Sequence, residues 1–184
     1  MKLAEHKNLK LVITELPVKE KDKLLLRLIA KDKVLTEHLH FKLLEDESDL
    51  ENRKEQIKSD IDNQIPELKK LTVKEALAKV RKMITGVNHF YKVTKDAVGE
   101  VELKIYILNK IPVDYKKSVF GYKDFGFLFA TYYLKTVAIT LNKSKKLHED
   151  FQFDLSENIN QLLSKIYSSK LAVAAEASNL PKEV

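Results

Sequence analysis

The sequence contains no cysteine and no tryptophan, and it has only four glycines and four prolines among 184 residues. The lack of cysteine excludes a disulfide framework and thiolate metal sites, and it is compatible with a reducing compartment. So few glycines and prolines leave little turn chemistry for the hairpins of a many-stranded sheet. The sequence therefore predicts long helices with few breaks, and we expect a cytoplasmic protein.

Long apolar runs are also missing. No stretch approaches the roughly 20 apolar residues that a membrane-spanning helix needs. Charged and polar side chains interrupt the N-terminal segment from Glu5 to Lys10, which is not typical of a secretory signal. With 44% hydrophobic and 33% charged residues, the composition predicts a folded globular protein without a membrane-spanning role.

Apolar residues at helical spacing predict three short helices, joined by minimal turns, in the first 45 residues. Asp32 is placed to cap the third of these helices. In each helix the apolar residues recur three or four positions apart, which is typical of a helix with one buried face. The predicted buried face of the second helix consists of Leu24, Leu25, Leu28 and Ile29.

Capping signals and glycines divide the middle of the chain. Ser48–Glu51 and Thr72–Glu75 match the capping box that starts a helix. Gly86 is a plausible left-handed residue after a helix, so we expect a separate helix over residues 87–98 that ends at Gly99. Residues 100–111 fit both a strand and a helix, and we choose a helix because a lone strand would leave its backbone groups unpaired.

Two further helices are predicted over residues 125–141 and 154–175, which gives about nine in all. The fold class is therefore all-α, arranged as an antiparallel helical-repeat or solenoid-like array, with a compact helical bundle as the alternative. At this length we expect a single all-helical domain over residues 1–176. The apolar periodicity is lost afterwards, so residues 177–184 are predicted to be a frayed tail.

No reactive constellation is visible in the sequence. His38 and His40 stand two positions apart, which on a helix directs them to different faces, so they do not form a metal site. No phosphate-binding glycine loop or serine-hydrolase motif occurs, and we expect no metal and no cofactor. An enzyme stays possible only if polar residues such as His89, Tyr91, Asp124 and His148 converge in space.

The formal net charge is +6, and lysine outnumbers arginine by thirty to three. Residues 104–146 hold nine lysines against Asp114 and Asp124, whereas residues 45–67 are strongly acidic. The basic segment either faces a polyanion or is a solvated surface partly neutralised by the acidic helix. We favour the solvated surface, because arginine is the residue preferred for bidentate phosphate recognition.

Aromatic residues are concentrated in residues 120–133, next to two of the four glycines. Such a cluster either forms a recognition platform or fills core between helices, and we favour the core. If the segment does bind a partner, aromatic and lysine side chains would carry the contact. The candidate partner-binding residues are Tyr122, Lys123, Phe125, Lys116, Lys117, Lys143, Lys145 and Lys146.

The segment LPVKEKDKLLLRLIAKDKVLTEHLHFKLLE and the downstream FGYKDFGF resemble helical proteins of bacterial families that carry no assigned activity. Those families are similar to HEAT-type helical arrays, so the resemblance implies a fold and no catalytic residue. We predict a non-enzymatic helical scaffold or protein-interaction domain with a protein partner. The alternative is nucleic-acid binding through the lysine-rich segment 104–146. The oligomeric state is left open.

Overall fold

The structure, a computed structural model, describes residues 5–115, 119–120 and 123–184, and these residues are almost entirely helical, as predicted. The elements are α1 Lys7–Glu15, α2 Val18–Lys31, α3 Lys33–Leu44, α4 Glu47–Leu68, α5 Val73–Thr94, α6 Ala97–Lys110, β1 Val119–Phe120, β2 Lys123–Asp124, α7 Phe125–Ser144, α8 Glu149–Tyr167 and α9 Ala172–Ala177. The two β elements form one short antiparallel pairing, Val119 with Asp124 and Phe120 with Lys123. The all-α fold class is confirmed.

The chain divides into two compact units, Met1–Glu45 and Asp46–Val184, which we call unit 1 and unit 2. A domain in the strict sense has its own hydrophobic core and folds alone. Compactness does not establish independent folding, so the single domain over residues 1–176 stays a prediction, as does the helical array.

Unit 1 contains the three short helices that the apolar spacing predicts. Asp32 caps α3 as expected, because its carboxylate accepts a hydrogen bond from the Leu35 backbone N–H at 3.0 Å. None of the residues in α1, α2 or α3 is buried. The predicted buried face of α2 is therefore wrong: Leu24, Leu25 and Leu28 are exposed, although they recur with the expected helical period.

Unit 2 is built around α6, which contacts α4, α5, α7 and α8. Burial from several sides explains the ambiguous period of residues 100–111, because a helix surrounded by others is apolar nearly all round. Val101, Leu103, Ile105 and Ile107 are all buried. The choice of a helix for this segment is confirmed.

The predicted helix end at Gly86 is wrong. α5 continues through Gly86 and ends at Thr94. Its C-cap residue, Lys95, has a left-handed φ of 61°. The apolar stripe continues past the glycine through Val87, Phe90 and Val93, which are buried, so packing overrides the weak helix propensity of glycine. No separate helix occupies residues 87–98.

Capping explains where α4 and α5 begin. Thr72 and Glu75 form the predicted capping box of α5, with the Glu75 carboxylate accepting from the Thr72 N–H at 3.0 Å. The predicted box at Ser48 is wrong, because α4 begins two residues earlier behind Asp46. The Asp46 carboxylate accepts from the backbone N–H groups of Ser48 and Asp49, and Asp49 accepts from the Asp46 N–H in return.

The C-terminal helix is also divided differently from the prediction over residues 154–175. α8 starts at Glu149 and ends at Tyr167, and the short α9 follows a turn. The Tyr167 hydroxyl donates to the Leu180 carbonyl at 2.5 Å, and Asn160 exchanges two hydrogen bonds with the backbone of Val184. Leu180 is buried, and the frayed tail over residues 177–184 stays a prediction.

Lys165 on α8 caps the C-terminal end of α6 by hydrogen bonding to its carbonyls. The sequence pattern does not reveal this contact. Its ammonium group donates to the carbonyls of Leu108, Asn109 and Ile111 at 2.9, 2.8 and 2.5 Å. A cation is favoured at this end of a helix, where carbonyls lack partners. Burial acts in the opposite direction and lowers the pKa of the Lys165 amine to about 8.

Candidate functional site

Helices α1, α2 and α3 form a connected set, residues 7–44, which we call the apolar arm. α1 joins α2 through Leu16 and Pro17, and α2 joins α3 through Asp32 alone. The Pro17 carbonyl accepts from the backbone N–H groups of Glu20 and Lys21, so the proline begins α2 directly. Connections this short contribute no loop that covers the helices.

Large apolar side chains are exposed along the whole arm, each between 37% and 73% of its full area. They are Leu9, Leu11, Val12, Val18, Leu24, Leu25, Leu26, Leu28, Leu35, Leu43 and Leu44. The longer unit 2 exposes seven such side chains among its described residues. Single exposed apolar residues need no explanation, but a concentration of this kind marks an interaction surface.

The apolar residues of the arm are arranged on helix faces. In α2, Leu24 and Leu28 are four residues apart, as are Leu25 and Ile29, so each pair lies on one side of the helix. Sequence analysis identified this stripe but assigned it to a core. Exposed and buried apolar faces have the same pattern in a sequence, and only the structure separates them.

The basic segment 104–146 is less available for a polyanion than its composition suggests. Lys104 is 4% exposed, and its ammonium lies 2.6 Å from the buried Glu100 carboxylate. Lys143, a predicted partner-binding residue, contacts both oxygens of the same carboxylate at 2.6 Å and lies 5.0 Å from the centre of the Tyr91 ring. Two of the nine lysines thus neutralise a buried acid.

The described side chains among the other predicted partner-binding residues lie at opposite ends of α7. Phe125 begins α7, while Lys145 and Lys146 follow its last turn. α7 has 20 residues, so its ends are separated by about 30 Å at 1.5 Å per residue. Lys145 and Lys146 are exposed. Lys123 is one of the two residues of β2. Lys116, Lys117 and Tyr122 lie outside the described residues.

Among the described aromatic residues of segment 120–133, the core prediction is favoured. Phe129 and Tyr133 are buried and stack with ring centres 6.0 Å apart, and the Tyr133 hydroxyl donates to the Leu108 carbonyl. Phe125 is half-buried against the core of unit 2, with the Lys74 ammonium 5.6 Å from its ring centre. Among the residues of segment 120–133 whose burial is described, Phe127 and Leu128 are large apolar residues with substantial exposure.

A polar groove of about 410 Å³ lies between α4, α6 and α8 of unit 2. The Tyr106 hydroxyl donates to Asp62 at 2.7 Å, and Lys110 contacts the same carboxylate at 3.1 Å. These two hydrogen bonds lower the pKa of Asp62. Lys58 contacts Glu102 at 2.9 Å on the same side of the groove. The charges therefore neutralise one another and do not converge on a ligand.

The pairing of Tyr106 with Lys110 was visible in the sequence as residues four apart on one helix. Asp62 lies forty-four residues before Tyr106, and no sequence pattern connects them. This is why sequence analysis missed the groove.

Two of the polar residues named for an enzymatic role, Asp124 and His148, act as helix caps. Asp124 accepts from the N–H groups of Gly126 and Phe127, and His148 accepts from the Asp150 N–H at 3.4 Å. They stand at opposite ends of α7. In the described residues, no group of three or more histidine and carboxylate side chains is placed to hold a metal ion. No described helix is long and apolar enough to span a membrane.

Comparison with known proteins finds no family model, no curated protein and no solved structure that matches this chain. The resemblance to bacterial HEAT-like families therefore stays a prediction. The candidate site rests on the chain's own geometry, and its most distinctive feature is the exposed apolar arm.

Proposed function

We propose that the protein is a non-enzymatic interaction module in which the apolar arm binds another polypeptide. The observation that supports this proposal is the combination of no buried residue in α1–α3 with eleven exposed large apolar side chains. Full burial of a valine or leucine side chain stabilises by roughly 1.5–3 kcal/mol. An arm that left these side chains in water would forgo most of the free energy that holds helices together.

Local helix propensity alone does not hold the arm together. Its helices are 9, 14 and 12 residues long, and isolated helices shorter than about 12–15 residues are marginal in water. A chain of about 40 residues normally needs disulfides, a metal or association with another chain to stay folded. The sequence has no cysteine, so a disulfide is excluded. Association supplies the missing burial.

Unit 2 has a different role in this proposal. Its core is buried and continuous, including Leu103, Leu162, Leu163 and Ile166. It therefore supplies a stable body that presents the arm. Nucleic-acid binding through segment 104–146 stays a prediction with less support, because Lys104 and Lys143 are engaged with Glu100.

Site-specific photo-cross-linking in cells tests the proposal. A photoreactive residue replaces Leu25 on the arm, and a matched protein carries it at Val173, which is 78% exposed on α9. We expect a covalent adduct with a polypeptide at position 25 and none at position 173. Equal labelling at both positions, or no adduct at position 25, would contradict the proposal.

A further inference from the structure

We infer that the polypeptide bound by the apolar arm is a second copy of this chain, so that two arms pack against each other in a symmetric dimer. This inference rests on the proposed function and names its partner. Three features of the arm support it: the amount of apolar surface, the charge pattern, and the spacing of the leucines.

The apolar surface of the arm matches the size of a standard dimer interface. At about 25 cal/mol per Å², the usual burial energies correspond to on the order of 100 Å² for each leucine or valine side chain. Eleven such side chains, exposed by 37% to 73%, provide on the order of 600 Å² of apolar surface. Interfaces are a little over half apolar, and a stable one buries about 800 Å² per partner.

The charge pattern favours a like partner. Residues 5–45 contain nine lysine and arginine residues and seven aspartate and glutamate residues, a net charge of only +2. In α2, Glu20 and Asp22 alternate with Lys19, Lys21 and Lys23. Two copies therefore repel each other weakly, and acids of one copy can approach lysines of the other. Acidic residues among the lysines also disfavour an anionic membrane, which attracts a uniformly basic polar face.

The leucine spacing suits packing between identical helices. Residues four apart form the ridges that interdigitate when two helices cross. Leu24 with Leu28, and Leu25 with Ile29, supply two adjacent ridges of this kind on α2. A two-fold axis places the same ridges on both sides, so the assembly closes at two copies.

The mass of the full-length protein in solution tests the inference. Size-exclusion chromatography with light scattering is run over a hundredfold range of concentration. The test variant carries Leu25→Glu and Leu28→Glu, and the matched control carries Phe153→Glu and Val173→Glu, two exposed positions in unit 2. Wild type and control are expected at twice the 21.3 kDa of one chain at high concentration, and the arm variant at 21.3 kDa.

A milder variant distinguishes loss of the dimer from misfolding of the chain. Leu25→Ala with Leu28→Ala keeps helix propensity and is expected to weaken the dimer at least tenfold without abolishing it. Thermal unfolding followed by circular dichroism checks that unit 2 retains its cooperative transition in every variant. A wild-type chain that stays at 21.3 kDa throughout, or an arm variant that keeps the doubled mass with its transition intact, overturns the inference.

The outcomes separate the inference from the proposed function. A monomeric chain that still forms an adduct at position 25 with a different polypeptide overturns the inference that the partner is a second copy. The proposed interaction function is not contradicted by that result. A monomer without any adduct overturns both. A monomer that co-sediments with phosphatidylserine vesicles through the arm also overturns the inference and assigns the apolar surface to lipid.

Discussion

At the scale of single residues, Glu100 has the most unusual environment in unit 2. It is 2% exposed, and it contacts two ammonium groups, those of Lys104 and Lys143, each at 2.6 Å. Burial of a charge is costly unless that charge is paired and hydrogen-bonded. One carboxylate therefore connects two turns of α6 with α7, and its removal leaves Lys104 buried without a counter-charge.

The two sides of this cluster respond differently to substitution. Glu100→Gln is expected to destabilise the protein by about 3–5 kcal/mol, because a buried ammonium loses its partner. Lys104→Met should change the free energy of unfolding by less than about 1 kcal/mol, since Glu100 keeps Lys143 and the chain length is preserved. Urea unfolding measures both, with Glu55→Gln as a surface control that is expected to be nearly silent. Equal effects of Glu100→Gln and Lys104→Met would contradict this reading.

Tyr115 is half-buried, and its buried hydroxyl has no hydrogen-bond partner among the described residues. Burial raises the pKa of the Tyr115 hydroxyl to about 12, above the ordinary value of 10. The folded protein therefore holds this proton more tightly than the unfolded chain does. Stability is therefore independent of the ionisation of this group below pH 10 and falls as the pH rises from 10 towards 12.

Tyr115→Phe should leave stability at pH 7 unchanged or raise it by about 1 kcal/mol, because it removes an unpaired hydroxyl and keeps the ring against Phe129. The variant should also lose less stability than wild type between pH 10 and 12. Tyr133→Phe, which removes a hydrogen bond to the Leu108 carbonyl, is the comparison and should cost about 1 kcal/mol at pH 7. Denaturant titrations at a series of pH values give both quantities. A loss of stability in Tyr115→Phe at neutral pH would show that the hydroxyl has a partner.

At the scale of elements, the period of the apolar residues predicts the helices. Single glycines do not predict where those helices end. Gly86 resembles a helix terminator in the sequence, but the buried stripe of α5 continues on both sides of it. Gly99 was read as the end of a helix and instead lies in the first turn of α6, where its N–H donates to the Asp96 carboxylate. Sequence patterns show the residue type at a boundary, whereas packing decides whether the helix stops there.

The two glycines give a matched pair for substitution by alanine. No atom approaches the place that a Cβ on Gly86 would take, so Gly86→Ala should stabilise by about 0.5–1 kcal/mol through better helix propensity. A Cβ on Gly99 would overlap the Asp96 carboxylate that caps α6, so Gly99→Ala should destabilise by about 1–2 kcal/mol. Thermal unfolding distinguishes the signs. A stabilising effect of Gly99→Ala would mean that the cap at Asp96 adapts at no cost, and a destabilising effect of Gly86→Ala would contradict the propensity argument.

At the scale of the whole molecule, the all-helical class followed from the sequence because the period of the apolar residues survives in the structure. The candidate site did not follow. The stripe of Leu24, Leu25 and Leu28 was recognised but placed in a core, because a sequence records that residues are apolar and not what covers them. For the lysines of segment 104–146 the sequence has the opposite shortcoming, because it does not show which charged residues are engaged with a buried partner. Lys104 and Lys143 contribute to a surface charge count although both pair with a buried acid.

Unit 2 is held by its own core, whereas the proposed function makes order in the apolar arm depend on association. This predicts different local stabilities within one chain, since amide exchange reports the free energy of local opening. In unit 2, α5 and α6 contain many buried residues, and in the arm there are none. Association is concentration-dependent, and a hydrophobic core within one chain is not.

Hydrogen–deuterium exchange of the full-length protein, compared at low and high protein concentration, tests this claim most directly. We predict that amides of α1–α3 exchange rapidly in dilute protein and become protected as the concentration rises, while the protection of α5 and α6 stays constant. Arm amides that are equally protected at every concentration would show that the same chain covers the arm. That result would contradict ordering of the arm by association, and an arm unprotected throughout the range would contradict its ordering by a second copy of the chain.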